Sequence, residues 1–460
     1  MSRSLALLVA AGSLFAAACG PDPVLVTRSL PGVAVVPASP SPEPEVRPGG
    51  PPEYRALWVD AFHEGFKNPR QVDQLISRAH RGHLNALFVQ VRKQGDAYFR
   101  RGVEPMAEDI DLPQRPFDPL AYLIRRAHSA NPPLEVHAWL NTFYVSKSSE
   151  VYQVHGSDWG NKTYAGDVGG FLDPGVPAVR DYTHEVFMQV VRNYRIDGIH
   201  MDFVRYPDGG DWGYSQVAVD RFNHATGHTG KPKPDDHGWE QWRRDQVTTF
   251  VRELHEDIAR TWPRVKLSGA LIAYGKGPES DEEWRSSRTY TEVYQDWARW
   301  FADGYLDLGL TMNYDRDSSP KQQGWFRAWT AWEKDHQGRG ALVVGIGAFL
   351  NYPEDTIAQI RAAMEPTAKG RRPAGIAIYS YASTSLYGTD DFYLSPGDQG
   401  YLPRQPYAPS SDPKVLLERA KAFNEWFYTA LSSPTTYQDP ALGKVSTTPV
   451  FLGPAPLPPG

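Results

Sequence analysis

Short apolar runs and amphipathic segments alternate along the chain from residue 53 to residue 431. The apolar runs have strand length and are rich in β-branched and aromatic residues, which predicts strands buried on both faces. The predicted strands are Tyr54–Phe62, Ala86–Arg92, Leu134–Asn141, Gly198–Val204, Lys266–Ile272, Leu306–Tyr314, Ala341–Gly347 and Gly375–Tyr381. The segments between and after them have the amphipathic pattern of helices. The predicted helices are Pro69–Arg81, Pro119–Ala130, Val176–Tyr194, Asp245–Trp262, Val293–Ala302, Trp325–Lys334, Pro353–Met364 and Pro413–Ala430.

About eight strand–helix units in succession predict an α/β fold, a (β/α)8 TIM barrel, rather than an open doubly wound sheet. We expect one barrel domain over residues 53–431 with extended loops on its C-terminal face, because the longest connections follow the second to fifth strands. The motif GxGxxG is missing after the first strand, which removes the main support for a dinucleotide-binding fold.

Composition and charge narrow the class of partner. The 460 residues are 41% hydrophobic and 12% aromatic, which is globular, and the aromatic side chains suit either a core or stacking platforms for sugar rings. The net charge is −6 and the pI is near 6.1, and no basic stripe occurs. We therefore expect no nucleic-acid partner.

The N-terminus has the pattern of an export signal. Arg3 precedes an apolar run, Leu5–Ala18, that ends in small residues before Cys19. Cys19 is the only cysteine, so no intramolecular disulfide can form. The segment 1–19 resembles a bacterial lipoprotein signal, in which this cysteine becomes lipidated. Lipidation at Cys19 would anchor the protein in the cell envelope, and Gly20 favours the outer membrane; a cleaved secretory signal is the alternative. No second apolar stretch approaches the ~20 residues that span a bilayer.

Two proline-rich segments flank the predicted barrel. Residues 20–52 lack apolar periodicity and predict a semi-extended tether. Residues 432–460 predict a tail that is either disordered or a strap lying over the domain.

The stretch DGIHMDFVRYP, Asp197–Pro207, contains the strongest candidate for chemistry. Asp202 stands where a buried parallel strand runs out, and active sites of these barrels lie at the C-terminal strand ends. We expect function to depend on Asp202, which a neighbouring arginine would hold ionised. The structural alternative is a strand-end aspartate that accepts hydrogen bonds from backbone amides or pairs with Arg92 or Arg205.

Polar and aromatic residues also stand at the other predicted strand ends, as expected of a site for a hydroxyl-rich ligand. The predicted substrate-binding residues are Asp60, His63, Gln90, Arg92, His137, Trp139, Asn141, His200, Arg205, Asn313, Tyr314 and Tyr381. Buried, satisfied histidines and core packing of Trp139 are the alternatives. No cofactor is expected, and neither HExxH nor a thiolate zinc site exists. A metal site of His137, His200 and Asp202 is a minor alternative.

Cleavage of a glycosidic bond needs two carboxyl groups, one that protonates the leaving oxygen and one that attacks or activates water. We predict Asp202 as nucleophile or base and Asp315, two strands later, as the acid. Asp315 could instead cap a turn, and the acidic stretch Glu279–Glu283 is the rival source of the acid. No GxSxG motif supports esterase chemistry.

Several stretches resemble the bacterial glycosyl-hydrolase-like family 10. They are RALWVDAF, FVQVRKQGDAYF, FDPLAYLIRRAH, LEVHAWLN, DGIHMDFVRYP and LGLTMNYDRD, in this order between residues 55 and 317. The resemblance implies the barrel, makes Asp202 the strand-four carboxylate, and in some related clans places the acid on strand six, where this chain has Asp315. Many members carry DDYFYP where this chain has DFVRYP, so one of two aspartates is replaced by Phe203.

Members of that family include envelope lipoproteins that act on peptidoglycan. We therefore hypothesise a glycoside hydrolase of a cell-envelope glycan, peptidoglycan strands lacking stem peptides. A carbohydrate-binding envelope protein on a catalytically silent barrel is one alternative, and a hydrolase of secreted exopolysaccharide is another.

Overall fold

The computed structural model describes residues 53–113, 116–385, 413–439, 443–456 and 458. The predicted signal, Cys19 and the tether lie outside the described residues. The strands are β1 (Tyr54–Val59), β2 (Ala86–Arg92), β3 (Glu135–Asn141), β4 (Gly160–Lys162), β5 (Val168–Leu172), β6 (Gly198–Asp202), β7 (Lys266–Ile272), β8 (Leu308–Asn313), β9 (Ala341–Gly347), β10 (Gly375–Tyr379), β11 (Thr435–Asp439) and β12 (Gly443–Thr447). The α-helices are α1 (Pro69–Arg81), α2 (Pro119–His128), α3 (Glu150–Trp159), α4 (Pro177–Asn193), α5 (Gln216–Thr226), α6 (His237–Thr261), α7 (Asp281–Ser286), α8 (Arg288–Thr291), α9 (Trp297–Asp303), α10 (Pro320–Asp335), α11 (Pro353–Met364) and α12 (Pro413–Ser432).

Eight strands close into a parallel barrel in the order β1, β10, β9, β8, β7, β6, β3, β2, with β2 paired again to β1. All eight correspond to predicted strands, and the helices surround them. The predicted (β/α)8 barrel is confirmed. Among the described residues, no helix is long and apolar enough to cross a membrane.

Local signals set several helix starts. Asn68 and Asp118 accept hydrogen bonds from the backbone at Gln71 and Ala121, with proline at the first helical position of α1 and α2. The structure begins α6 at His237 rather than at the predicted Asp245, because two further turns bury Trp239 against α5.

The long connections after β3 and β6 hold elements that the pattern did not predict, namely α3, the β4–β5 hairpin and α5. β5 is joined to the chain after β3 by a bridge between Tyr144 and Phe171. These elements therefore extend the surface at the C-terminal ends of β3 and β6.

The barrel interior is a packed core and not a pore, as is usual for this fold. Alternate strand residues fill it, among them Trp58 from β1 and Phe88 from β2. Gly345 makes room for Trp58, because a Cβ added there would lie 2.8 Å from the indole ring and 1.9 Å from the carbonyl oxygen of Thr311.

Residues 451–456 of the predicted tail lie against the N-terminal ends of β1 and β2, and we call them the C-terminal strap. Its backbone oxygens at Gly453 and Pro456 accept hydrogen bonds from Arg55 Nη1 and Asn85 Nδ2, at 3.1 and 2.9 Å. The Phe451 ring lies under the Arg55 guanidinium, 4.5 Å from its Cζ. The strap thus lies at the barrel end opposite the loops that follow the strands.

Candidate active site

A cavity of about 500 Å³ opens at the C-terminal ends of the barrel strands. Aromatic side chains make up much of its wall, and two carboxyl groups reach it. The lining residues are Trp58, Phe62, Gln90, Trp139, Asp202, Phe203, Arg205, Ala270, Ile272, Ala273, Tyr274, Gly275, Met312, Tyr314, Asp315, Gln322, Trp325 and Tyr379.

Asp202 is the last residue of β6 and is 7% exposed. Its Oδ1 accepts from the backbone N–H of Phe203 at 2.7 Å, and its Oδ2 accepts from Trp139 Nε1 at 3.2 Å. Burial raises the pKa of Asp202, and the nearby charge of Arg205 opposes that shift only in part. Arg205 thus favours the ionised form of Asp202, as expected, while burial opposes it.

Asp315 follows β8 by two residues, lines the same cavity and is also 7% exposed. Its backbone oxygen accepts from Asn351 Nδ2 and Gln359 Nε2, which hold the loop in place. Within the described residues its carboxyl group has no hydrogen bond or ion pair. Burial alone raises its pKa to about 7. A carboxyl group of this kind carries its proton at the pH at which a general acid is needed.

Arg205 lines the cavity, but its guanidinium group is paired with Asp208 and not with Asp202. Its Nη1 donates to Asp208 Oδ2 at 2.7 Å, and the Tyr274 hydroxyl donates to the other oxygen of Asp208. Arg205 thus faces Asp202 as a charge and not as a hydrogen-bonded partner.

The cavity floor consists of four aromatic rings from four strand ends. Tyr314 and Tyr379 are stacked with centroids 5.4 Å apart, and Trp58 lies edge-on to both. Trp139 completes the floor at 6.5 Å from Tyr379. Such a floor offers ring faces to the C–H groups of a sugar.

His200 lies beneath this floor. Trp58 Nε1 donates to its Nε2 at 3.0 Å, and Ser268 Oγ lies 2.9 Å from its Nδ1. Burial lowers the pKa of His200 well below its usual value, so the ring is neutral and can accept the indole hydrogen bond. The predicted contact of His200 with substrate is corrected to a contact with Trp58.

The structure brings six of the predicted site residues to the cavity wall: Gln90, Trp139, Asp202, Arg205, Tyr314 and Asp315. Their assigned roles remain predictions. Glu279 and Glu283, from the rival acidic stretch, lie in an exposed loop and helix outside the lining.

Three predicted residues are buried but do not line the cavity. His137 lies deep in the barrel, where its Nε2 is 2.9 Å from Glu135 at the start of β3. Arg92 is fully buried in an ion pair with Glu104. Asn141 accepts from Gln90 Nε2 and donates to the Lys93 backbone oxygen. Their predicted placement is wrong, because residues early in a strand, or bonded beneath a loop, fill the core.

Four further predicted residues are also absent from the lining. Asp60 accepts from the backbone N–H groups of Phe62 and His63 and contacts the His63 ring at 2.7 Å, so this pair fixes the turn after β1. Asn313 points outward from β8 to Glu333 on α10. Tyr381 accepts from Arg78 Nη1 at 2.8 Å between the barrel and α12. The predicted substrate contacts of these four are corrected.

Several lining residues were not predicted, among them Phe62, Phe203, Gln322 and Trp325. Trp325 and Gln322 lie in the first turns of α10, which starts at Pro320. Ser319 and Pro320 are a helix-start signal that would have placed both residues above the strand ends.

His137 and His200 have separate partners, so they do not converge with Asp202 as the minor metal alternative required. Across the described ranges, no group of three or more His, Cys, Asp and Glu side chains is arranged to hold a metal ion.

Comparison with known proteins finds relatives that are named as glycosyl hydrolases. The chain is 26% identical to glycosyl hydrolase YngK of Bacillus subtilis (strain 168) over 284 residues, covering 55% of this chain and 52% of that protein. It is 25% identical to glycosyl hydrolase DigH of Escherichia coli (strain K12) over 252 residues, covering 49% of this chain and 53% of that protein. The chain thus spans about half the length of these curated relatives.

In fold, the chain is similar to the glycoside hydrolase domain of PgaB (BpsB) from Bordetella bronchiseptica, with a TM-score of 0.51 and 16% identity. The likeness covers 76% of this chain and 97% of that domain, and it concerns the fold. The family model described as glycosyl hydrolase-like 10 matches residues 53–345. Because this match covers well over half of the chain, the chain belongs to the glycosyl hydrolase-like 10 family.

Proposed function

We propose that this protein is a glycoside hydrolase that cleaves a cell-envelope glycan, with peptidoglycan strands lacking stem peptides as its substrate. The observation that supports this most is the pair of carboxyl groups, Asp202 and Asp315, lining one aromatic cavity at the C-terminal ends of the strands. Membership of the glycosyl hydrolase-like 10 family supports the same reaction class.

In the proposed mechanism, Asp315 protonates the glycosidic oxygen as the bond to the leaving sugar breaks. Its pKa of about 7 suits this role, because the group is still largely protonated just below neutral pH. Asp202 either attacks the anomeric carbon, forming a glycosyl ester that water hydrolyses while Asp315 takes the proton of that water, or takes a proton from the water that attacks the anomeric carbon directly. The hydrogen bonds from Trp139 and from the Phe203 backbone hold its two oxygens in a defined orientation.

The test uses purified protein and isolated peptidoglycan glycan strands stripped of stem peptides. Asp202→Asn and Asp315→Asn should each lower product release by about a hundredfold or more, while circular dichroism shows an unchanged fold. Glu282→Gln, in the exposed acidic stretch, is the matched control and should be as active as wild type. Unchanged release by folded Asp202→Asn, or a comparable loss in the control, would contradict the assignment.

The same assay separates the two alternative functions. A carbohydrate-binding protein on a silent barrel would bind the strands without releasing product; the presence of a second carboxyl group in the cavity favours turnover instead. Faster turnover of a secreted exopolysaccharide than of glycan strands would replace the proposed substrate while keeping the mechanism.

We also propose that Cys19 carries a lipid that anchors the protein to the envelope, at the periplasmic face of the outer membrane. The small residues before this cysteine support the proposal. Radiolabelled fatty acid should be incorporated into the wild type and not into Cys19→Ser when each is expressed in a bacterial host. Equal labelling of both would contradict it.

A further inference from the structure

Phe203 has a backbone conformation that a bulky side chain rarely adopts. Its φ is +48°, in the left-handed region, where Gly, Asn and Asp are favoured. The turn lets the Phe203 N–H donate to Asp202, a bond that any non-proline residue could make. The backbone therefore does not require a phenyl ring here, and strain of this kind clusters at functional sites.

The Phe203 ring connects the cavity to two other aromatic side chains. It is half-buried, it lines the cavity, and its centroid lies 5.3 Å from Tyr144 and 5.8 Å from Phe171. Tyr144 and Phe171 are also half-buried and are joined by the bridge that links β5 to the chain after β3. We call Tyr144, Phe171 and Phe203 the aromatic strip.

Gly170 lies in β5 beside the aromatic strip and places no side chain on the strand surface there. A Cβ added there would meet its nearest neighbours, including Tyr144, at 3.5 to 3.6 Å, which is ordinary contact, and its backbone is not left-handed. The fold would therefore accept alanine at this position. A glycine inside a strand often marks a bulge, a bend or a place where a ligand or another backbone approaches closely. Close approach of a ligand fits Gly170, because the neighbouring backbone leaves room for a methyl group there.

We propose that the aromatic strip is a distal sugar-binding site, continuous with the cavity, which holds a pyranose residue of the glycan chain beyond the two sugars joined by the bond that is cut. The inference rests on the proposed function and deepens it. It makes the substrate a polymer rather than a disaccharide, because only a chain that extends from the cavity reaches Tyr144. The Tyr144 hydroxyl, which accepts from Gln94 Nε2 at 3.4 Å, adds a polar edge to the strip.

The experiment compares glycan strands of two sugars with strands of eight or more. In an Asp202→Asn background, which prevents turnover, calorimetry measures their Kd. Tyr144→Ala and Gly170→Ala should each weaken binding of the long strands about tenfold and leave binding of the disaccharide unchanged. In the active protein, kcat/KM on long strands should fall by a similar factor.

Stability separates this role from a packing role. Gly170→Ala should keep the Tm of the wild type or raise it, and Phe203→Asn should raise the Tm while weakening long-strand binding, because asparagine tolerates the left-handed backbone. Tyr164→Ala changes an exposed tyrosine in the turn of the same hairpin and is the matched control, with no effect on either strand length.

Effects of Tyr144→Ala that are the same for short and long strands, or no effect at all, would overturn the distal site while leaving the hydrolase proposal standing. Lack of binding to strands of any length by the Asp202→Asn protein would overturn the proposed function and the distal site together.

Discussion

At the scale of single residues, burial raises the pKa of several carboxyl groups of this protein, and it raises the pKa of two of them to about 7 or 8. Asp315 faces the cavity without a charged partner, and its pKa is raised to about 7. Glu333 is enclosed between α10 and β8, and its pKa is raised to about 8. Desolvation is the main cause in both, yet only Asp315 lies where a substrate can reach it.

The ionisation of Asp315 predicts the alkaline limit of activity. If Asp315 is the acid, kcat/KM on glycan strands should fall as the pH rises through about 7, because the group loses its proton there. An aryl glycoside with a good leaving group needs no acid, so Asp315→Asn should retain activity on it without this alkaline decline. Asp202→Asn should be inactive on both substrates. An unchanged decline in Asp315→Asn would assign the titration to another group.

The raised pKa of Glu333 predicts that the stability of the protein, rather than its activity, depends on pH. Its Oε2 accepts from Thr311 and Asn313, each at 3.0 Å, while its buried Oε1 has no partner. The folded pKa of about 8 exceeds the usual 4.5, so the folded state keeps a proton that the unfolded chain has released. Between those pH values the free energy of unfolding should decrease with rising pH, by up to about 1.4 kcal/mol per unit for this group.

Glu333→Gln cannot titrate and keeps an acceptor oxygen for Thr311 and Asn313. It should be more stable than wild type at pH 8, with the difference shrinking toward pH 5, as measured by denaturant unfolding at several pH values. Glu253→Gln, an exposed change on α6, should follow the wild-type curve. A difference independent of pH would show that packing and not ionisation separates the two proteins.

At the scale of elements, side-chain alternation along the strands separates the correct site predictions from the wrong ones. In β8, Leu308 and Leu310 face the barrel interior, so Asn313 must face the helices, where it meets Glu333. This could have been read from the sequence by applying the two-residue period to each strand end. The depth of a side chain inside the barrel could not be predicted in this way, because it depends on how far one strand is staggered against the next. The predicted placement of His137 and His200 was wrong for that reason.

The close packing of β1 against β9 predicts a stability effect. Gly345→Ala should lower the free energy of unfolding by about 3 kcal/mol or more, because the added methyl group meets both the Thr311 carbonyl and the Trp58 ring. Gly324 lies within α10, and a methyl group added there would have no other side chain or backbone segment within 4 Å. Gly324→Ala should therefore raise the free energy of unfolding by about 0.5–1 kcal/mol. Chemical denaturation of both variants measures this, and similar changes in both would contradict the packing argument.

At the scale of the whole molecule, one end of the barrel carries the candidate active site and the other end packs against the C-terminal strap. The cavity and its carboxyl groups lie at the C-terminal ends of the strands, and the C-terminal strap lies against the N-terminal ends of β1 and β2. The strap residue Phe451 is buried, and its backbone oxygen lies 2.9 Å from His83 Nδ1. The strap should therefore contribute to stability and not to turnover, because active sites of this fold lie at the other end of the barrel.

Phe451→Ala should lower the free energy of unfolding by about 3 kcal/mol and leave KM for glycan strands unchanged in the folded protein. Its neighbour Leu452 is 80% exposed, so Leu452→Ala should be neutral in both measurements. Thermal unfolding together with steady-state kinetics tests this. A raised KM for Phe451→Ala below its Tm would mean that the strap influences the cavity.

The alternation of apolar runs and amphipathic segments was enough to predict the eight barrel strands, and three of them, including Ala86–Arg92, have the predicted bounds. These are local properties, because strand and helix periods repeat within a few residues. The strand-end position of Asp202 could be predicted in the same way. The presence of Asp202 and Asp315 in one cavity, the aromatic floor and the depth of His137 and His200 below the site depend on closure of the barrel and on strand register. Those are contacts between segments far apart in the chain, so they are determined by the folded molecule and not by any local pattern.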